Sequence, residues 1–281
     1  MTQTRPDSGS RTSRIAVVLA LAAGPAIGTA ALSSESVAAW SSYTAANEQR
    51  ISRELAAGGP KFLALDYAPN AATEKNVVLS GGIDIEPMGA VDARGEGIEV
   101  PSAMVHHWRG AVLIPGAKLD DLLTKLKSGV PDTRQEDILQ SKVIARTSDG
   151  MRVYLKLQRK KFVTAVYNTE HLVTFTRYDA THAASASTAI KIAELENPNT
   201  PAERELPPGQ DRGFLWRWNT YWRYEQVPGG VIAECESVSL SRDIPTVVRY
   251  LVSPLIASTA RESMERTLSG LRERHRASLP H

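Results

Sequence analysis

The chain has 281 residues, of which 42% are hydrophobic and 23% are charged. This composition is typical of a globular protein with a sizeable core, and it excludes disordered and collagen-like chains. The 33 basic and 31 acidic residues nearly balance, and the basic runs at 159–161 and 272–276 are too short for a nucleic-acid-binding face. We therefore expect no nucleic-acid partner.

The first 39 residues have the features of an export signal. Three arginines precede an uncharged apolar stretch over residues 15–32, and the small residues Ser-Val-Ala-Ala follow at 36–39. This pattern predicts cleavage after Ala38 or Ala39 and a periplasmic or secreted protein that starts near Trp40. The alternative is an uncleaved anchor in the cytoplasmic membrane, because the apolar stretch just reaches the length of a spanning helix.

The first half of the remaining chain predicts a mixture of short elements. A leading helix is expected over 45–57, where Gly58-Gly59-Pro60 then ends it. Residues 61–101 are rich in Gly, Asp and Pro and predict short strands and loops. A strand is expected over 103–114, and leucines at helical spacing predict a helix over 118–127.

From residue 141 the apolar residues alternate with period two, which predicts antiparallel strands joined by hairpins. The expected strands span 141–147, 151–167, 170–178 and 184–194. Asn168-Thr169 is predicted to be the turn between the second and third of these strands. A proline-rich loop follows over 197–209.

The hairpin around Pro228-Gly229-Gly230 is the most informative part of the sequence. Strand alternation predicts that one face of its first strand carries the aromatic residues Phe214, Trp216, Trp218, Trp222 and Tyr224. Small residues of the second strand, including Cys235, are expected beside them, where a helix can approach closely. The opposite face carries Arg217, Arg223, Glu234 and Glu236, which we interpret as charge pairs on the solvent side.

Residues 245–276 carry an apolar stripe at helical spacing that includes Leu251 and Leu255. Pro254 lies within this stripe and predicts that the helix is kinked or divided there. We expect the stripe to pack on the aromatic face of the sheet. The sequence thus predicts an α+β fold, in which about six to seven antiparallel strands pack on a long C-terminal helix.

This order of elements resembles the START-like, or SRPBCC, superfamily. The resemblance spans about residues 100–274. Within it, several short sequence segments are similar to those of uncharacterised exported bacterial members. The phrases that carry it are His107–Gly110, Asn168–His171, Asp211–Arg217, Glu234–Glu236 and Ser239–Pro245. The resemblance implies a helix-grip fold with a ligand cavity between sheet and helix, because members commonly hold lipids, sterols or polyketides.

One START-like domain is therefore expected over 40–281. It would comprise a leading helix and irregular extension (40–98), the sheet with an inserted helix (99–244) and the C-terminal helix (245–276). The expected cavity wall consists of Phe214, Trp216, Trp218, Trp222, Tyr224, Cys235, Leu251 and Leu255. His107 and His171 are candidate polar contacts to a ligand, and His171 beside Glu170 is also a candidate acid or base.

No strong catalytic signature accompanies this fold. Phosphate loops, dinucleotide fingerprints and nucleophile elbows are missing from the sequence, and adjacent His106 and His107 would face opposite sides of a strand. We therefore expect no cofactor or metal, and we interpret the single cysteine, Cys235, as a core residue.

Three functions agree with these features. The first is noncatalytic binding or transfer of an apolar small molecule or lipid outside the cytoplasm, with membrane contact through the N-terminal segment or during ligand exchange. The second is a cyclase-like or dehydratase-like enzyme that uses the same cavity. The third is a cavity-free interaction module of the cell envelope. Pocket volume and ionisable groups in the interior distinguish them.

Overall fold

The computed structural model describes residues 31–57, 60–128, 137–160, 164–243 and 246–276, with the backbone alone for Lys160 and residues 246–257. The helices are α1 (Ser34–Ala56), α2 (Ala71–Leu79), α3 (Leu119–Ser128) and α4 (Thr246–Arg276), and a 3-10 turn spans Ala64–Tyr67. The strands are β1 (Ile83–Pro87), β2 (Ala103–Pro115), β3 (Ile138–Arg146), β4 (Gly150–Lys160), β5 (Thr164–Arg177), β6 (His182–Glu196), β7 (Arg204–Glu205), β8 (Arg217–Val227) and β9 (Gly230–Arg242). Within the described residues, no helix has the length and apolar character needed to span a membrane.

All nine described strands belong to one antiparallel sheet. Its order is β1-β2-β9-β8-β6-β5-β4-β3, and the short β7 pairs with β6. The count exceeds the six to seven strands predicted, because β1 and β7 lie in stretches rich in Gly, Asp and Pro that favour loops. The α+β class and the long C-terminal helix are as predicted.

The turn predicted at Asn168-Thr169 is wrong. Both residues lie inside β5, where Asn168 pairs with Lys156 and Thr169 with Leu155 of β4. Side-chain alternation continues through this point, with Tyr167, Thr169 and His171 all buried on one face. The gain from burying that face outweighs the turn preference of an Asn-Thr pair.

Helix α1 begins earlier than the sequence predicts. Its N-terminus is capped by Ser33, whose hydroxyl oxygen accepts a hydrogen bond of 3.0 Å from the backbone N–H of Ser36. Trp40, Tyr43 and Ile51 form its buried stripe. The predicted helix over 45–57 therefore covers only the later part of α1, and residues 34–39 of the helix had been attributed to the export signal.

The sheet is covered by helices on both faces. On the face termed here the inner face, Met264, Leu268 and Leu271 of α4 pack into a core with residues of β1, β2, β8 and β9. On the outer face, Trp40, Tyr43 and Ile51 of α1 pack against a second cluster that includes Val238 and Leu240 of β9. The sequence predicted the inner cover and missed the outer one.

The sheet curls around α4. Arg261 of α4 donates a hydrogen bond of 2.7 Å to the carbonyl of Ile85 on the edge strand β1. Ser263, two residues further along α4, accepts a hydrogen bond of 2.9 Å from Arg159 of β4, near the other edge of the sheet. The edge strand β1 and the next-to-last strand β4 therefore contact the same turn of α4 from two sides.

Helix α4 is one element over Thr246–Arg276, so the expected division at Pro254 is wrong. A proline inside a helix removes one backbone hydrogen bond and crowds the preceding turn. The helix tolerates this cost because its later turns pack on the sheet through Met264, Leu268 and Leu271.

Candidate ligand-binding site

The inner face divides into a packed part and a more open part. The C-terminal half of α4 covers the packed part, where Leu268 is fully buried and Leu271 is 5% exposed. The open part lies beyond it, and its inner-face side chains remain only half-buried. We call this part the inner recess and define it by His106, Val153, Arg159, Val173, Trp218 and Ser239.

Strand register builds the recess from a row of neighbouring residues. His106 of β2 lies opposite Ser239 of β9, and Ser239 lies opposite Trp218 of β8. The indole of Trp218 meets the ring of His171 edge-to-face, with 5.2 Å between centroids. Because residues directly opposite in an antiparallel ladder share a face, the row crosses the inner side of the sheet.

The polar groups in the recess are held by hydroxyl side chains. The indole N–H of Trp218 donates to Ser237 Oγ at 3.0 Å, and His106 Nε2 lies 2.9 Å from Ser241 Oγ. His171 Nε2 lies 3.0 Å from Thr169 Oγ1. These short side chains fix the orientation of the larger rings, which then present flat apolar surface inward.

The side chains of His106 and Arg159 pack against protein atoms, but they are only partly buried. Desolvation, with a smaller contribution from the charge of Arg159, lowers the pKa of His106 to about 4. Desolvation also lowers the pKa of Arg159, although 40% of its side-chain surface is exposed.

We expect the protein to lose stability as pH falls from about 6.5 to about 4, partly through His171. Burial lowers the pKa of His171 to about 4, so below pH 6.5 the unfolded chain binds a proton that the folded protein resists. Between pH 7.5 and 4.5 this costs about 2–3 kcal/mol. Urea unfolding of His171→Asn should show a correspondingly smaller change between the two pH values. Equal changes in the variant and the wild type would contradict this assignment.

The structure brings together four of the predicted wall residues. Trp218, Trp222, Tyr224 and Cys235 lie on the inner face, Trp218 in the recess and the others in or against the packed core. Tyr224 and Cys235 are each 2% exposed, and burial raises the pKa of the Cys235 thiol. Leu251 and Leu255 are the predicted wall residues on α4, and their side chains lie outside the described part of the structure.

Phe214 and Trp216 do not share the face of Trp218. Trp216 lies at a bend before β8 begins at Arg217, and it packs with Trp40 in the outer cluster. Phe214 is half-buried in the same loop, with the Arg212 guanidinium 5.3 Å above its ring. The prediction extended strand alternation to residues one and three positions before the strand begins, where it no longer applies.

His107 also lies on the outer face, contrary to its predicted role as a ligand contact. Its Nδ1 is 2.8 Å from the Tyr43 hydroxyl of α1, and its Nε2 is 2.8 Å from a carboxylate oxygen of Glu236. The neighbouring His106 takes the inner position that the sequence analysis missed. Alternation shows that the two histidines face opposite sides, and only the register with β9 shows which of them faces inward.

Three of the four charged residues predicted on the solvent side are buried on the outer face, and the fourth, Arg217, is half-buried. Arg223, Glu234 and Glu236 are 3%, 1% and 2% exposed. Glu236 accepts hydrogen bonds from Asn47 and Arg50 of α1, and Glu234 accepts from the backbone N–H groups at the start of the 3-10 turn. The predicted cross-strand pairing occurs for Arg223 and Glu234, which lie opposite each other with 3.9 Å between Arg223 Nε and Glu234 Oε1. The predicted solvent exposure is wrong, because the sequence analysis assumed that only one face of the sheet is covered.

Glu170 and His171 do not form an acid–base pair. Glu170 points to the outer side, where it pairs with Arg152 of β4, and His171 points inward. Both ring nitrogens of His171 lie near hydroxyl oxygens, Thr169 Oγ1 at 3.0 Å and Ser187 Oγ at 3.4 Å. Across the described residues, no group of three His, Cys, Asp or Glu side chains is arranged to hold a metal ion.

The antiparallel sheet curled around a long C-terminal helix is the helix-grip arrangement that the sequence resemblance predicted. No family model and no curated protein matches the chain. Solved structures with a similar fold include a STAR-related lipid transfer protein from Xanthomonas axonopodis, at 16% identity, TM-score 0.42, and coverage of 66% of this chain and 98% of that one.

Two further structures illustrate the range of similar proteins. Human STARD10 is 10% identical, with a TM-score of 0.43 and coverage of 68% of this chain and 69% of that chain. The Zhui aromatase/cyclase from a Streptomyces species is 6% identical, with a TM-score of 0.39 and coverage of 62% and 94%. With identities of 6–16% and TM-scores of 0.39–0.43, these similarities carry no conclusion about function.

Proposed function

We propose that the protein binds or transfers an apolar small molecule or lipid, without catalysis, in the inner recess between the sheet and α4. The observation that carries this proposal is that the inner-face side chains of Trp218, His106 and Arg159 are only half-buried, with the Arg159 guanidinium reaching across from β4 to 5.8 Å from the Trp218 ring. A mostly apolar concavity with a few placed polar groups is the usual form of a small-molecule site. The proposed location is outside the cytoplasm, with the N-terminal segment as export signal or anchor.

The histidines favour a carrier over a cyclase-like or dehydratase-like enzyme. A general base acts best when its pKa lies near the working pH, and the pKa values of His106 and His171 are both lowered to about 4. Their ring nitrogens also face serine and threonine hydroxyls, at 2.9 Å for His106 and 3.0 Å for His171. Both are better suited to positioning neutral rings than to transferring protons.

A variant that fills the recess distinguishes the carrier hypothesis from that of a cavity-free envelope module. Ser239 is half-buried between His106 and Trp218, so Ser239→Phe places a ring inside the recess. We expect the free energy of unfolding of this variant to lie within about 1 kcal/mol of the wild-type value. We expect it to bind an apolar probe at least about tenfold more weakly than the wild type does. The probe is methyl cis-parinarate, whose fluorescence rises in apolar surroundings.

The matched control is Thr188→Phe, which adds the same ring at an exposed position of β6 on the outer side. It should leave probe binding unchanged. A destabilisation of Ser239→Phe by more than about 3 kcal/mol, with no probe bound by the wild type, would indicate a filled interior and reject the carrier.

Native mass spectrometry of protein purified from its own envelope tests the cargo and the location together. We expect a recurrent copurifying lipid and an intact mass that corresponds to a start near Trp40. A mass that includes the apolar stretch at 15–32 would favour the anchor. Recovery of the protein from the cytoplasm alone, with no bound lipid, would contradict the proposal.

A further inference from the structure

Arg159 is a cation on the inner side of the sheet. Its guanidinium carbon lies 5.8 Å from the ring centroid of Trp218. Arg159 belongs to β4 and Trp218 to β8, and β5 and β6 lie between these strands in the sheet. The contact therefore crosses the space that the curled sheet encloses, and the Ser263 contact from α4 bounds the same point on the helix side.

The hydrogen-bonding capacity of this guanidinium is largely unused among the described contacts. A guanidinium has five N–H donors, and the one hydrogen bond described for Arg159 is the 2.9 Å bond from Nη1 to Ser263 Oγ. The nearest described carboxylate oxygen, on Asp137, is 3.8 Å away, beyond hydrogen-bond distance.

Among the described contacts, two buried arginines of the sheet, unlike Arg159, donate hydrogen bonds to carboxylates. Arg223 donates to Glu54 and to the carbonyl of Phe62, and Arg109 donates to Glu74 and Asp84. Both side chains are 3% exposed, against 40% for Arg159. Arg159 thus retains donors that face accessible space, as a ligand-binding cation must.

Charge is also unbalanced around Arg159. Asp137 lies 3.8 Å from Arg159 and 3.2 Å from Arg266 of α4, so one carboxylate faces two guanidiniums. The hydroxyl of Tyr167, near enough for the charge of Arg159 to act on it, is buried without a hydrogen-bond partner in the described structure. An anionic oxygen placed here would meet unsatisfied donors and offset the excess positive charge.

We propose that Arg159 binds the anionic headgroup, a carboxylate or a phosphate, of an amphipathic ligand whose hydrocarbon chain occupies the inner recess. This inference rests on the proposed binding function and narrows its cargo to acidic amphiphiles. The face of the Trp218 ring holds the guanidinium in place and leaves the N–H edge directed at the headgroup.

The test compares two probes with the same hydrocarbon chain, the anionic cis-parinaric acid and its neutral methyl ester. The wild-type protein should bind the acid about 10- to 100-fold more tightly than the ester. Arg159→Gln should reduce the affinity for the acid to that of the ester and leave the affinity for the ester unchanged. Arg159→Lys keeps the charge without the planar fork and should retain part of the preference.

Arg152→Gln is the matched control. Arg152 lies on the same strand with a similar exposure of 45%, but it points to the outer side and pairs with Glu170. Its removal should change neither affinity. Equal affinities of the wild type for acid and ester, or a preference that survives in Arg159→Gln, would overturn the headgroup assignment while ester binding still supports the carrier. Failure of the wild type to bind either probe would overturn the carrier and the headgroup site together.

Competition then distinguishes the two sources of the anion. Displacement of the probe by oleic acid and not by oleyl alcohol assigns the site to a carboxylate. Displacement by dioleoylphosphatidic acid and not by dioleoylglycerol assigns it to a phosphate. Displacement by the neutral lipids with equal potency would reject a role for the charge.

Discussion

Replacement of Glu236 by alanine is expected to destabilise the protein by about 3–5 kcal/mol, because it leaves buried partners without their counter-charge. Glu236 accepts hydrogen bonds from Asn47 Nδ2 at 2.7 Å and from Arg50 Nη2 at 2.5 Å, and it lies 2.8 Å from His107 Nε2. Burial alone would raise the pKa of Glu236, but the contacts with His107 and Arg50 lower it to about 2. The carboxylate therefore stays ionised and holds α1 on the sheet.

Urea unfolding at pH 7.5, followed by circular dichroism, measures this effect. Glu170→Ala is the matched control, because Glu170 also pairs with an arginine across the sheet but that arginine, Arg152, is 45% exposed. The control should lose less than about 1 kcal/mol. A loss for Glu236→Ala as small as that of the control would mean that α1 is held by its apolar stripe alone.

The second large effect concerns the contact between α4 and β2. Leu268 is fully buried, and Leu268→Ala is expected to cost about 2–5 kcal/mol through lost burial and a residual cavity. Gly110 lies beneath it, where an added Cβ would be 2.7 Å from Leu268 Cδ1 and 2.8 Å from Met264 Cγ. Gly110→Ala alone should therefore cost about 1–3 kcal/mol by overpacking.

Combining the two changes tests whether these residues touch. The alanine methyl at 110 enters part of the space that Leu268→Ala vacates, so the double variant should be more stable than the sum of the single effects predicts. The expected coupling is at least about 0.5 kcal/mol, and it stays partial because Met264 still crowds the site. Strict additivity would show that α4 does not pack on Gly110.

The sequence could predict the inner half of this architecture. Burial of one face imposes a regular spacing of apolar residues on the two strands that flank Pro228-Gly229-Gly230 and on the stripe of α4. The hairpin and the helix both occur where expected. Trp218 and Trp222 followed from the same alternation. The resemblance to START-like proteins supplied the order in which these pieces assemble.

The outer half could not be predicted, because its charged residues follow the sequence pattern of a solvent-exposed face. Arg223, Glu234 and Glu236 alternate with apolar residues, as exposed charges on a sheet commonly do. Their partners, Asn47 and Arg50, lie far away in sequence on a helix whose own pattern is mostly polar. Nothing local distinguishes a charge that meets water from one that meets a distant helix.

The anionic-headgroup candidate was missed for a related reason. Arg159 opens a short basic run, 159–161, and such runs are usually solvated turns. Its inward direction depends on the register of β4 against β5, where Arg159 lies opposite Ala165. The incorrect turn at Asn168-Thr169 concealed that register, so the error in one hairpin also hid the inward position of Arg159.

The way the sheet closes has a consequence for biogenesis. His106 and Ser241 touch although they are 135 positions apart, and α4, which completes the inner side, comes last in the described chain. Until β9 has been synthesised, β2 of a nascent chain can pair only with the 5-residue β1, and the non-local pairing with β9 is slow. During that interval its apolar strands are exposed to aggregation, and we expect an emerging chain to depend on chaperones until its final helix is available.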